Sequence, residues 1–132
     1  MAHESLTIVT ADGDRRGQKI LTLRGSLNIH SVFVFQTATR EETAEQVILD
    51  FTNVPFMDSA GLGALVGAYV TAQRTNRQLA VVGANARVQA LIDMTQVGTL
   101  IRCYENAVAA QAALGPTRES ELDNWQKSPS RS

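Results

Sequence analysis

From Gln46 onward, three short apolar runs alternate with helical patterns. The runs are Val47-Ile48-Leu49-Asp50-Phe51, Leu79-Ala80-Val81-Val82-Gly83 and Leu100-Ile101-Arg102-Cys103-Tyr104. Near-continuous apolar strands spaced by helices predict parallel strands joined by right-handed crossovers, with helices packed on the sheet. Helical steps run from Ser59 to about Asn76, from Ala86 to Met94 and from Ala107 to Leu114. Asn85 is placed to cap the second of these, which buries Val88, Leu91 and Ile92, and Gly115-Pro116 ends the third. Upstream, Leu6-Thr7-Ile8-Val9-Thr10 and the segment Gln18 to Leu23 have strand content, and the turn-forming residues 11–17 between them make a hairpin. The predicted fold class is α/β: a mixed, mostly parallel sheet of about five strands, about four helices and an N-terminal β-hairpin.

One segment pulls two ways. Ser31-Val32-Phe33-Val34-Phe35 has strand propensity, yet the run on to Ala44 is rich in helix formers, and Ile29, Phe33 and Gln36 keep a helical step. A helix is expected there, with tertiary context overriding the β-branched residues. Gly25 ends the strand before it, and Asn28 is positioned to cap it.

Length and charge narrow the function classes. A chain of 132 residues with 44% hydrophobic content suits one domain, taken as 1–115, plus a polar tail at 116–132 expected to be disordered. In that tail Trp125 is the only large aromatic residue. Twelve basic against thirteen acidic residues leave a net charge of −1, with no electrostatic footprint for nucleic acid or an anionic membrane. No apolar run approaches the roughly 20 residues of a membrane span, and residues 1–4 do not read as a secretion signal. The single cysteine, Cys103, excludes an internal disulfide and reads as a strand residue facing the core, not as a reactive thiol. A cytoplasmic location follows as an expectation.

The start of the second expected helix carries the chemistry. In Met57-Asp58-Ser59-Ala60-Gly61-Leu62-Gly63, both Asp58 and Ser59 are good cap residues. Leu62, Leu65, Val66, Tyr69 and Val70 recur at steps of three and four, with Leu62 and Leu65 expected in the core. Gly61, Gly63 and Gly67 each cost roughly 1 kcal/mol relative to Ala in a helix. Two readings account for them. Ala60, Gly63, Ala64, Gly67 and Ala68 would let the helix lie tight against a sheet or another helix, or the small neighbours leave Ser59 open to a partner or an enzyme.

That motif resembles the signature of bacterial anti-sigma factor antagonists built from a single STAS domain. The similarity runs over roughly residues 5 to 114 and includes Arg24-Gly25-Ser26-Leu27-Asn28 and Asp93-Met94-Thr95-Gln96-Val97-Gly98. The resemblance implies a STAS-like fold, a helix over the ambiguous segment, and Ser59 as the phosphorylated serine. It also implies an anti-sigma factor partner that is itself an ATP- and Mg²⁺-dependent serine kinase, with a separate phosphatase for reset. It further implies that the unphosphorylated chain binds that partner and frees the sigma factor, and that phosphorylation switches binding off. The partner-binding candidates are Asp58, Ser59, Gly61, Gly63, Ser26 and Asn28. Two positions depart from the family pattern: Asn28 stands where an acidic residue is common, and Ala60 where a second hydroxyl residue is common.

No catalytic constellation is legible. His3 lies near the terminus, and His30 has no Cys or second His at metal-ligand spacing. Ser59 lacks a nucleophile elbow, and Gly61-Leu62-Gly63 is too short for a phosphate-binding fingerprint. The expectation is a binding protein that is not an enzyme and uses no cofactor or metal. The alternative from another class is a STAS scaffold or accessory module in a stressosome-like or lipid-transport complex. A nucleotide-binding module has no residue pattern behind it.

Overall fold

The computed structural model describes residues 5–127. The elements are β1 (Thr7–Asp12), β2 (Gln18–Arg24), α1 (Val32–Glu41), β3 (Gln46–Asn53), α2 (Ser59–Arg74), β4 (Gln78–Val82), α3 (Ala86–Asp93), β5 (Arg102–Tyr104), α4 (Ala107–Leu114) and α5 (Arg118–Lys127). The sheet order is β1-β2-β3-β4-β5. Strand β1 pairs antiparallel with β2, and every later pairing is parallel. The expected mixed sheet with its N-terminal hairpin is therefore the observed one, with five α-helices among the described residues where about four were expected.

Alternation along the strands divides the core in two, because successive side chains leave a strand on opposite faces. On one face Leu21, Leu23, Val47, Leu49, Phe51, Leu79 and Val81 pack with Phe35 of α1, Leu62 and Leu65 of α2, and Val88 and Ile92 of α3. On the other face Ile48, Ala80 and Val82 pack with Ala110 and Leu114 of α4. Each buried aliphatic side chain contributes on the order of 1.5–3 kcal/mol, so the three-helix face carries most of the hydrophobic stabilisation.

A buried amide row crosses the sheet where β2, β3 and β4 begin. Gln18, Gln46 and Gln78 stand in register. Gln18 Nε2 donates to Gln46 Oε1 and Gln46 Nε2 to Gln78 Oε1, both at 2.8 Å. Gln111 of α4 donates its Nε2 to Gln18 Oε1 at 2.9 Å. Arg15 Nη1 donates to the carbonyls of Gln111 and Gly115 at the end of α4. Each buried amide thus finds partners, which removes the penalty an unpaired one would carry.

The helix ends differ in places from expectation. Asn85 does cap α3, its Oδ1 accepting from the Val88 N–H at 2.8 Å. Gly115 ends α4 with φ +74°. Asn28 is not the cap of α1; the helix starts after Ser31, and Asn28 Oδ1 instead accepts the His30 N–H in a local Asx turn. Leu100 belongs to a 3-10 turn, Gly98–Leu100, so β5 is shorter than the apolar run. Finally, α5 stands where composition alone suggests an unstructured tail. Thr117 and Ser120 cap it reciprocally, Glu45 accepts the Arg118 N–H, and Arg16 pairs with Asp123 and Glu119. Docking by polar contacts is invisible to an apolar-periodicity reading. The Trp125 side chain and residues 128–132 lie outside what is described.

Candidate functional site

Strands β2, β3 and β4 run parallel, so their carboxyl ends share one edge of the sheet. The loops after β2 and β3 continue side by side past that edge. The Leu27 N–H donates to the Phe56 carbonyl at 3.0 Å and the Asp58 N–H to the Leu27 carbonyl at 3.2 Å. Leu27 and Met57 form a parallel bridge, and both are buried. The end of this two-stranded extension is where α2 begins.

Asp58 is the N-cap of α2, with Oδ1 accepting from the Gly61 N–H at 2.9 Å. Its Oδ2 accepts from the Ile29 N–H at 3.1 Å. One carboxylate thus satisfies an otherwise unpaired helix donor and ties down the loop that leads into α1. Ser59 is the first residue of α2 and is exposed. Among the described residues its hydroxyl makes no hydrogen bond. It sits at the positive end of a 16-residue helix.

Ser26 and Asn28 lie in the same corner. The Ser31 hydroxyl donates to the Ser26 carbonyl at 2.8 Å and accepts the Asn28 N–H at 3.0 Å. These contacts set the loop's shape. Asn85 holds the third loop, its Nδ2 donating to the Val54 and Pro55 carbonyls.

The glycines separate into two kinds. Gly61 is buried, and a Cβ built on it would lie 2.2 Å from the Leu27 carbonyl oxygen. Its close approach is inward, to the chain's own loop, so it is not an exposed contact residue. Gly63 and Gly67 are exposed, and a Cβ at either would meet nothing within 4 Å. The reading in which all the small residues serve tight helix packing therefore fails at these two. They border a cleft of about 270 Å³ between α1 and α2 whose rim includes Gln36 and Arg40.

Three exposed apolar side chains lie on the segments that open α1 and α2. Ile29 is 61% exposed, Phe33 77% and Phe56 42%. Ile29, Phe33 and Gln36 keep a helical step, and the buried residue of α1 is Phe35. The legible signal was the reverse step: burying Phe35 turns Phe33 about 200° away around the helix. Leu62 and Leu65 are buried as expected, whereas Val70 is 39% exposed.

No helix among the described residues is long and apolar enough to cross a membrane, and no group of three or more His, Cys, Asp or Glu residues could hold a metal ion. Cys103 is half-buried in β5; burial pushes its thiol pKa up, a contact with Gln89 working the other way. The arrangement offers one exposed hydroxyl, one oriented carboxylate and an apolar rim, which suits docking and modification.

The family model described as "STAS domain" matches residues 6–110. An anti-sigma F factor antagonist from Paenibacillus polymyxa is 31% identical over 103 residues, covering 75% of this chain and 88% of that protein. Among solved structures, an anti-sigma factor antagonist candidate from Thermotoga maritima superposes with a TM-score of 0.73 at 20% identity, covering 80% of this chain and 92% of that one. A sulfate transporter family protein from Wolinella succinogenes superposes with a TM-score of 0.66 at 19% identity, over 74% of this chain and 84% of that one. At such identities the two superpositions speak for the fold alone.

Proposed function

The chain belongs to the STAS domain family, and from that premise we propose that it is an anti-sigma factor antagonist switched by phosphorylation of Ser59. The observation that carries the reading is the exposed, hydrogen-bond-free Ser59 hydroxyl at the start of α2, beside the Asp58 carboxylate. The Paenibacillus relative, named an anti-sigma F factor antagonist, supports the partner class. The unmodified surface, with Ser59 at its centre and Ile29, Phe33 and Phe56 on its rim, binds an anti-sigma factor and so frees the sigma factor. Asp58 holds the serine loop; Ser26 and Asn28 shape the flank; Gly63 keeps the next turn of α2 low. The kinase is the partner. Ser59 Oγ attacks the γ-phosphorus of the partner's ATP, ADP leaves, and the hydroxyl proton passes to a base of the kinase. A separate phosphatase hydrolyses the ester, and the cycle takes place in the cytoplasm.

Magnitudes support the direction of the switch. Phosphorylation adds about −1.5 to −2 charges near neutral pH. The helix dipole offsets roughly 0.3–1 kcal/mol of the cost, and about 2 at best. Against this stands the neighbouring Asp58 carboxylate: two like unit charges ~6 Å apart repel by roughly 3 kcal/mol at an effective dielectric near 20. In the free chain water screens much of that. Docking an apolar-rimmed surface removes the water, so the penalty falls on the complex. About 4 kcal/mol weakens affinity roughly a thousandfold. The helix survives modification because Asp58, and not Ser59, caps it.

The test combines the chain with its cognate anti-sigma factor and ATP. The expected result is one phosphate on Ser59 and loss of the complex, with Ser59→Ala binding normally and taking up none. Affinity unchanged within about twofold after phosphorylation would overturn the switch. The accessory reading, to which the Wolinella likeness lends the fold, predicts instead a chain that ignores anti-sigma factors altogether.

A further inference from the structure

The far end of α2 holds a second feature, unrelated to the serine. There a recess of about 410 Å³ opens between the C-terminal turns of α2, the start of β5 and the first residue of α5. Its lining includes Arg77, Arg102 and Arg118 and, among the described residues, contains no carboxylate. We propose that this recess binds the phosphoryl group of a small anion, held by these three arginines.

Arg77 is already set in place. Its Nη1 donates to the Glu42 carbonyl at 2.8 Å and its Nε to the Thr75 hydroxyl at 2.9 Å. Both acceptors are neutral, so the guanidinium is oriented without being neutralised. The Arg102 and Arg118 guanidiniums make no hydrogen bond or ion pair among the described residues. By contrast Arg15, Arg16 and Lys19 each face a carboxylate. The Glu45 carboxylate accepts the Arg118 backbone N–H but lines the adjoining polar cavity, not this recess. Three arginines lining one recess, in a chain whose net charge is −1, make a local positive potential that an oxyanion relieves. Guanidinium forks match phosphoryl oxygens in pairs, which favours a phosphoryl group over a halide.

The rest of the lining is different in kind. Tyr69 and Leu100 supply apolar surface, with Gln73 and Asn76 beside them as amide donors. A phosphate ester whose organic part lies along Tyr69 would use both the arginines and the apolar lining; free phosphate would use only the arginines. Arg118 also begins α5, so a bound anion would hold that helix in place.

The experiment is an amide NMR titration of the full chain with sodium phosphate and, separately, with phenyl phosphate, ionic strength held constant with chloride. Saturable shifts at Gln73, Asn76, Gln78, Arg102 and Arg118 are expected. Arg102→Ala and Arg118→Ala alter exposed side chains and should each weaken binding at least about tenfold, while Ser59→Ala leaves it unchanged. Tighter binding of phenyl phosphate than of phosphate identifies an ester as the ligand class; equal binding identifies free phosphate. Shifts that fail to saturate, or that appear equally at Arg24 and Arg87, mean an adventitious ion only and overturn the site. So does undiminished binding in both arginine variants.

Discussion

Asp58 Oδ2 accepts the backbone N–H of Ile29 at 3.1 Å while Oδ1 of the same carboxylate accepts that of Gly61. The loop after β2 and the helix after β3 are thereby joined through one side chain. Asp58→Ala removes both acceptors, and an unfolding titration in urea should show a loss of about 1–2 kcal/mol. Asp58→Asn keeps one acceptor oxygen and should lose less. Equal stability of wild type and Asp58→Ala would deny the join.

The three glycines of α2 should respond with opposite signs. Gly61→Ala drives a methyl into the Leu27 carbonyl and should destabilise strongly, by about 2 kcal/mol or more. Gly67→Ala meets open space, so it should stabilise by up to about 1 kcal/mol through helix propensity. Gly63→Ala should stabilise the free chain similarly and weaken partner binding, because its methyl stands one turn beyond Ser59. Thermal melts with a binding isotherm separate the two effects.

Ile29→Ala and Phe33→Ala remove exposed apolar surface. Melting temperature should barely change, since neither residue is buried. Affinity for the anti-sigma factor should fall by about 1–3 kcal/mol for Phe33→Ala if it fills a pocket of the partner. Calorimetric titration of the variants gives the answer, with circular dichroism reporting that the fold is intact.

Gln46→Ala strands the Gln18 Nε2 donor, whose side chain is buried. A loss of about 2–3 kcal/mol is expected in chemical denaturation. A loss below about 0.5 kcal/mol would mean that water replaces the missing amide.

Cys103 gives a pH-dependent readout. Burial raises its thiol pKa, so the folded chain keeps a proton that the unfolded chain sheds at mildly alkaline pH. Its contribution to stability is complete below the unfolded thiol's pKa and is lost as pH rises through the folded value. Iodoacetamide should therefore alkylate the native chain far more slowly than the urea-unfolded chain. Equal rates would place the thiol in water.

The sheet was legible because Val47–Phe51, Leu79–Gly83 and the run before Tyr104 are apolar on consecutive positions, which only strands covered on both faces tolerate. The Asp58 cap was legible as a residue type at a helix start. Its second bond to Ile29 was not, since the two positions lie 29 residues apart and meet only through the β2–β3 pairing. The exposure of Ile29 and Phe33 was not legible for a related reason: a helical step marks a common face but does not say whether that face is covered. α5 escaped because its attachments, Arg16 to Asp123 and Glu45 to the Arg118 N–H, are polar and distant in sequence.

The glutamine row acts as a datum for the rest of the molecule. Were β3 to slide by one residue against β2, Gln46 would turn to the opposite face and leave its amide partners behind, and everything downstream would travel about 3.3 Å along the strand. Ser59 would travel with it. A partner that docks on a single hydroxyl tolerates no such offset, so the side chains that fix where that oxygen stands include three amides at the far edge of the sheet.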